Sequence, residues 1–240
     1  MIVGKEEIVI KHLYLVLMKN QLGNVKVCKN LIKKGFVQVN GQCIKDFRYL
    51  VQKDDDIIVN GQKISASPFV YYMMNKPAGY ICASRDEHTP CLLDFIDEKD
   101  CYCVGRLDKD TTGFILITND KSLSKKLLLP QNHVEKMYEV KTKYPIGLEY
   151  VESFQAGIII DQNIQCLPAH LEIIDEYHCR VTLKEGKYHQ IKKMFLSMSN
   201  QVVSLKRISF ANISLDSTLE YGQYRALNDQ EKDILSQALR

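Results

Sequence analysis

The chain has 240 residues, 45% hydrophobic and 25% charged, with a net charge of +3. That is the composition of an ordinary globular protein, long enough for one large domain or a small one beside a larger one. No run approaches the ~20 apolar residues a membrane-spanning helix needs. The start reads as no secretory signal, because Glu6 and Glu7 follow at once. A cytoplasmic location is the expectation.

Charge is distributed unevenly. Residues 1–60 carry ten Lys/Arg against six Asp/Glu, and the remaining 180 carry 22 against 23. Positions 8–45 hold seven lysines and no acid. Such a one-sided segment is the footprint of a polyanion binder, although a solvated lysine face would look the same. Cysteines stand at 28, 43, 82, 91, 101, 103, 166 and 179 with no Cys-x-x-Cys. Cys101-x-Cys103 alone is a poor zinc signature, so buried or idle thiols and no metal are expected.

In chain order, the apolar residues Ile8, Leu13, Leu15, Val16, Leu17 and Met18 predict a first helix, broken by Gly23-Asn24. Residues 25–34 predict a second helix with Val27, Leu31 and Ile32 inward and Lys26, Lys29, Lys33 and Lys34 outward. Gly35 sits where a C-cap belongs. Residues 36–39 alternate as a strand, and Asn40-Gly41 and Asn60-Gly61 are hairpin turns. Residues 61–68 read as a linker. The segment with Leu31-Ile32-Lys33, residues 35–41 and residues 53–59 resembles the S4 RNA-binding domain. That resemblance implies that the lysines of the second helix, Lys26, Lys29 and Lys33, meet RNA phosphates. One departure is Lys11-His12-Leu13-Tyr14, where the family usually shows an Arg-Leu-Asp-Lys type of first helix.

A second domain is expected from Phe69, opening with a strand over 69–74. Val104-Gly105-Arg106-Leu107-Asp108-Lys109-Asp110-Thr111-Thr112-Gly113 then sets a carboxylate near a guanidinium between two glycines. The apolar run 114–117 behind it reads as a buried supporting strand. Taken alone, the motif suits a lone nucleophile or base, and equally a capped turn with a surface ion pair. Asp120 opens a short helix. Residues 134–144 alternate as a strand, with Lys136, Tyr138 and Val140 on one face. Further on come a helix over 148–156 and strands over 158–160, 169–174 and 179–183. A helix over 188–200 carries the stripe Ile191, Met194, Phe195 and Met198. A strand over 202–210 follows, and Asn228 to Glu231 form a capping box before a terminal helix.

Three of these segments occur together. Residues 105–113, Lys136-Met137-Tyr138-Glu139-Val140 and the run 185–195 (Glu-Gly-Lys-Tyr-His-Gln-Ile-Lys-Lys-Met-Phe) resemble the active-site motifs of the RsuA/RluA-like pseudouridine synthases. Asn75-Lys76-Pro77-Ala78-Gly79 and Leu205-Lys206-Arg207-Ile208 agree. The form of the 185–195 run resembles the small-subunit rRNA enzymes most. Ser209-Phe210-Ala211-Asn212 departs from the family, where a glycine often follows the strand.

The resemblance implies an α+β protein: an S4 domain over 1–62, a linker over 63–68, and a catalytic domain over 69–240 with a mixed, mostly antiparallel sheet. It implies isomerisation of a uridine in 16S rRNA without cofactor or metal, on rRNA or an assembling small subunit, by a monomer. Asp108 is expected as nucleophile, on sugar or base, with Lys192 paired to it and Tyr138 stacked on the uracil. Arg106 is expected to contact phosphate or fill the space of the flipped base. Lys76, Lys187, His189 and Arg207 are expected at the RNA backbone. The same reaction on 23S rRNA and an inactive S4-type RNA-binding protein are the alternatives. No Gly-x-x-x-x-Gly-Lys-Ser/Thr or Gly-x-Ser-x-Gly stretch supports a nucleotide hydrolase, a kinase or an esterase.

Overall fold

The structure, a computed structural model, describes residues 11–20, 22–52, 55–66, 69–96, 98 and 101–237. The chain divides into two units, Met1–Phe69 and Val70–Arg240. Ile8, Lys53, Asp54, Ser67 and Pro68 lie outside the described residues.

In the first unit, α1 (Leu13–Lys19) buries Leu13, Val16 and Leu17. Helix α2 (Val25–Lys33) starts at Asn24, whose side chain accepts from the Val27 amide at 3.1 Å. It stops at Gly35, φ +80°, where the Gly35 and Phe36 amides donate to Ile32 and Leu31 carbonyls. Cys28 and Ile32, four apart, form the buried line of α2. Val27, expected inward, is 44% exposed, and Leu31 is only half-buried. The helix turns its Cys28–Ile32 line inward, which leaves Val27 at the edge against Gly23.

Strands β1 (Val37–Val39), β2 (Gln42–Cys43), β3 (Ile57–Val59) and β4 (Gln62–Ile64) form an antiparallel sheet in the order β2-β1-β3-β4. Asn40-Gly41 and Asn60-Gly61 take positive φ at both residues, matching the twist of the strands they join. Residues 62–64, expected within the linker, are therefore a strand. The Asn60-Gly61 turn sends the chain straight back to pair Val59 with Gln62 and Ile57 with Ile64.

The second unit is built on β5 (Tyr71–Lys76), β6 (Thr112–Thr118), β7 (Lys136–Thr142), β8 (His170–Ile173), β9 (His178–Leu183), β10 (Val202–Phe210) and β11 (Tyr224–Ala226), in the order β8-β9-β7-β10-β6-β5-β11. Every pair is antiparallel except β10 with β6. Strand β6 is buried on both faces, which explains its unbroken apolar run. Ile115 and Ile117 face a core shared with α4 (Leu148–Ala156) and α5 (Gln190–Ser197). Phe114 and Leu116 face another, shared with α3 (Lys121–Leu128) and α6 (Asp229–Gln237).

The parallel pairing sets Gly113 opposite Arg207. A Cβ at Gly113 would lie 2.2 Å from the Arg207 carbonyl oxygen, and φ there is +97°. Only glycine permits this approach. Ala211 and Asn212 form the tight turn after β10, both at positive φ, where the family often has glycine. The departure thus falls on a turn. Strand β11 carries no sequence signal of its own: it is three residues long and is defined by its pairing with β5.

Among the described residues no helix is long and apolar enough to cross a membrane, and no group of three or more His, Cys, Asp or Glu could hold a metal ion.

Candidate active site

The segment 104–111 leads into β6. Gly105, φ +75°, bends its start, and the Thr111 amide donates to the Asp108 carbonyl at 3.1 Å to close a turn. The Gly79 amide donates to the Lys109 carbonyl at 2.7 Å. Beneath the loop lies Lys76, completely buried, whose ammonium donates to the carbonyls of Thr111 (2.8 Å), Pro77 (3.0 Å) and Lys109 (3.3 Å). Its expected contact with RNA is corrected: the register sets Lys76 opposite Gly113, and the ammonium is spent on bracing the loop. Burial holds its pKa below the usual lysine value.

Asp108 stands at the crest of this loop with its side chain 26% exposed. One carboxylate oxygen lies 3.0 Å from Lys192 Nζ, and the other 3.4 Å from His189 Nε2. Lys192 also bonds Asp110 at 2.6 Å. Burial is the largest single influence and opposes the charged forms of Lys192 and Asp110, but their hydrogen bonds and the neighbouring opposite charges together outweigh it. Lys192 is raised above the usual lysine value and Asp110 falls below the usual carboxylate range. A cation that stays charged therefore links two acids two residues apart. Asp110 carried a signal in its spacing from Asp108, yet the sequence reading gave it no role.

The other side of the site is the segment before α5. Gln190 accepts from the Lys187 amide at 2.9 Å and donates to Glu185 at 2.7 Å, and Glu185 also accepts from the Leu167 amide. The Lys187 ammonium pairs with Glu185, so much of its charge is already committed. His189 takes left-handed backbone angles, φ +53° and ψ +32°, at the start of α5. Such angles are costly for a residue with a Cβ and recur where a side chain must be aimed. The ring stacks on Tyr188 with centroids 3.8 Å apart and presents Nε2 to Asp108. The expectation that His189, Lys192 and Lys193 share a face holds only in part. The first two meet at Asp108, whereas Lys193 lies over the Tyr188 ring and pairs with Asp161.

An open cleft joins these parts. It is lined by Asp108, Arg106, Lys187 and His189 along one part and by Tyr138, Lys136 and Arg207 on adjoining strands. Tyr138, on β7, is buried and lies opposite Arg207 on β10, so both side chains reach the same face. Arg106 is exposed and has no ion pair among the described residues. Arg207, expected at the RNA backbone, is instead 2% exposed, with Nε donating to the Phe114 carbonyl at 2.6 Å. Its close parallel pairing with β6 draws it under the loop. Lys136, two residues before Tyr138 on the same strand face, donates to the Val134 carbonyl. Burial and the Arg207 charge lower its pKa to about 8. Lys26 and Lys33 are exposed on α2, and Lys29 lies 4.8 and 4.5 Å over the rings of Tyr14 and Phe47.

Known proteins match this chain closely. The sequence profile of the RNA pseudouridylate synthase family matches residues 70–197. The chain belongs to this family. An RNA pseudouridine synthase of Bacillus subtilis described as uncharacterized, YtzG, is 37% identical over 90% of this chain and 94% of its own. The ribosomal small subunit pseudouridine synthase A of Pseudomonas aeruginosa is 39% identical over 84% of this chain and 90% of its own. The Escherichia coli K12 enzyme of the same name is 35% identical over 83% and 89%. A crystal structure of a pseudouridylate synthase superposes with a TM-score of 0.68 at 32% identity, covering 93% of this chain and 99% of that one. The protein is thus an RNA-modifying isomerase, an RsuA-like pseudouridine synthase with the mixed, mostly antiparallel sheet expected from its sequence.

Proposed function

We propose that this pseudouridine synthase acts on a uridine of small-subunit (16S) rRNA with Asp108 as its nucleophile. The observation that carries this reading is the Asp108 carboxylate, partly open to solvent, held between Lys192 and His189 in the cleft that Tyr138 also lines. Lys192, 3.0 Å from one carboxylate oxygen, fixes its direction. Tyr138 offers a planar face for the uracil, a kind of stacking worth ~1–3 kcal/mol.

Reaction at C1′ requires the nucleotide to leave its stack. The C1′–N1 bond breaks with its electron pair on the base, C5 bonds to C1′, the C5 proton leaves, and N1 gains one. Arg106, exposed at the cleft rim, suits phosphate or the gap left in the helix. The first unit is read as an S4 domain docking rRNA, free or in an assembling subunit, through Lys26, Lys29 and Lys33. The two relatives named for the small ribosomal subunit support this target.

The test is tritium release from 5-labelled uridine in small-subunit rRNA. Wild type releases tritium, and Asp108→Asn loses at least about 10³-fold in rate. Release by the variant at near wild-type rate ends the nucleophile reading. Mapping pseudouridines in a strain lacking the protein then names the target, and a site missing from large-subunit rRNA ends the 16S reading.

A further inference from the structure

Two buried polar atoms, on residues that line the Asp108 cleft, lack hydrogen-bond partners among the described residues. One is Nη2 of Arg207 and the other Oγ1 of Thr111. Both residues are 2% exposed. The Arg207 Nε is satisfied by the Phe114 carbonyl, and the guanidinium carbon lies 5.0 Å from the centroid of the Phe210 ring. These contacts fix the plane of the fork while leaving one end of it unpaired. Buried polar groups are nearly always paired, so each orphan calls for a reason. Two orphans on one cleft point to a ligand that brings both kinds of partner.

Position adds to this. Arg207 stands across from Tyr138 on one side and from Gly113 on the other, and Gly113 lets β10 come close enough to seat it under the loop of Asp108. We propose that Arg207 reads the carbonyl edge of the target base and that Thr111 pairs with the adjoining N3, with Arg207 selecting uracil over cytosine. The proposal rests on the Asp108 cleft being the catalytic one. It does not depend on which atom Asp108 attacks.

The chemistry follows from donor count. A guanidinium only donates. Uracil carries a carbonyl at C4 and a hydrogen on N3, whereas cytosine carries an amino group at C4 and a bare N3. Against cytosine, Arg207 would meet a donor with a donor. The Thr111 hydroxyl accepts as well as donates, which suits the N3–H of uracil and the bare N3 of cytosine alike. Arg207 is 2% exposed, so a phosphate would have to shed its hydration to reach it, which favours an uncharged base edge. A fixed positive charge beside the carbonyls also favours the electron pair that stays on the base when C1′–N1 breaks.

The test uses the full chain with uridine 5′-monophosphate as probe and cytidine 5′-monophosphate as its comparison. Wild type should bind the uridine nucleotide at least about tenfold tighter. Arg207→Lys should shrink that ratio to within about threefold by losing uridine affinity, Thr111→Val should weaken both nucleotides without changing it, and Asp108→Asn keeps it. A wild type without preference, a folded Arg207→Lys that keeps the full ratio, or a folded Thr111→Val with unchanged affinity for both nucleotides overturns the proposal. Should Arg207→Lys not fold, wild type labelled with ¹⁵N-arginine serves instead. The Arg207 side-chain resonances should move with the uridine nucleotide and stay with the cytidine one, and no movement with either overturns it. The Asp108→Asn turnover assay judges the nucleophile separately, so failure of one reading is distinct from failure of the other.

Discussion

The cations of the two units are used in opposite ways. In the first unit Lys26, Lys29 and Lys33 line one helix, and none pairs with a carboxylate among the described residues. In the second, Lys76 is buried under three carbonyls, Arg207 under β6, and Lys192 is clamped by two acids. An unpaired surface ammonium is available to any phosphate and is weakened by salt. A buried cation held by fixed carbonyls keeps those partners, so it sets the position of a loop or, where one donor stays unpaired as in Arg207, of a base edge. One part of the chain leaves its charge unpaired and the other commits it to geometry.

The largest expected effect lies where geometry is tightest. Gly113→Ala puts a methyl into the Arg207 carbonyl and forces a strained φ, so a loss of roughly 4 kcal/mol or more of stability is expected. Thermal unfolding checks this, and an unchanged Tm would mean that β6 and β10 can separate freely. Next comes Lys76→Met, which fills similar space but leaves three carbonyls without their donor. A cost of about 2–4 kcal/mol is expected, with RNA affinity changed only through the fold. If the variant is stable and only RNA binding falls, Lys76 belongs with the surface lysines after all.

The matching test in the first unit is Lys26, Lys29 and Lys33 all changed to Gln. Stability should hold, RNA affinity should fall about tenfold to a hundredfold at low salt, and the salt slope should flatten by about 0.7–0.9 per lost phosphate contact. Equal affinity and slope in both proteins would remove the docking role. The smallest effect is a pH dependence. The Lys136 pKa is lowered to about 8 in the fold, against ~10.4 when unfolded. Between these values the unfolded chain holds more protons, so this lysine makes stability rise with pH there. A gain on the order of 1 kcal/mol, about 2–4 °C in Tm, is expected between pH 8 and 10 in wild type and absent in Lys136→Met.

Local signals carried much of the fold. The Asn-Gly turns, the Asn24 and Asp120 caps and the reciprocal bonds of Asn228 with Glu231 are short-range chemistry and stand in the sequence. So does the alternation that buries Tyr138 and Val140 on β7. Elements defined by distant partners were not legible. The β4 strand looked like linker, and β11 exists only because β5 is beside it. The site divides along the same line. The motif order brought Asp108, Tyr138 and Lys192 into view, whereas nothing nearby in sequence announced the Glu185–Gln190 bond or the left-handed His189.

What the sequence determined by itself is the family, the local elements and the set of residues able to do chemistry. Only the tertiary structure decided which cations face solvent and which are sealed inside. Lys76 is turned inward by a carbonyl 35 positions away, and Arg207 by one 93 positions away. A lysine or arginine carries the same charge in either place, and no periodicity marks the difference. Its task is set by the acceptors that folding brings to it.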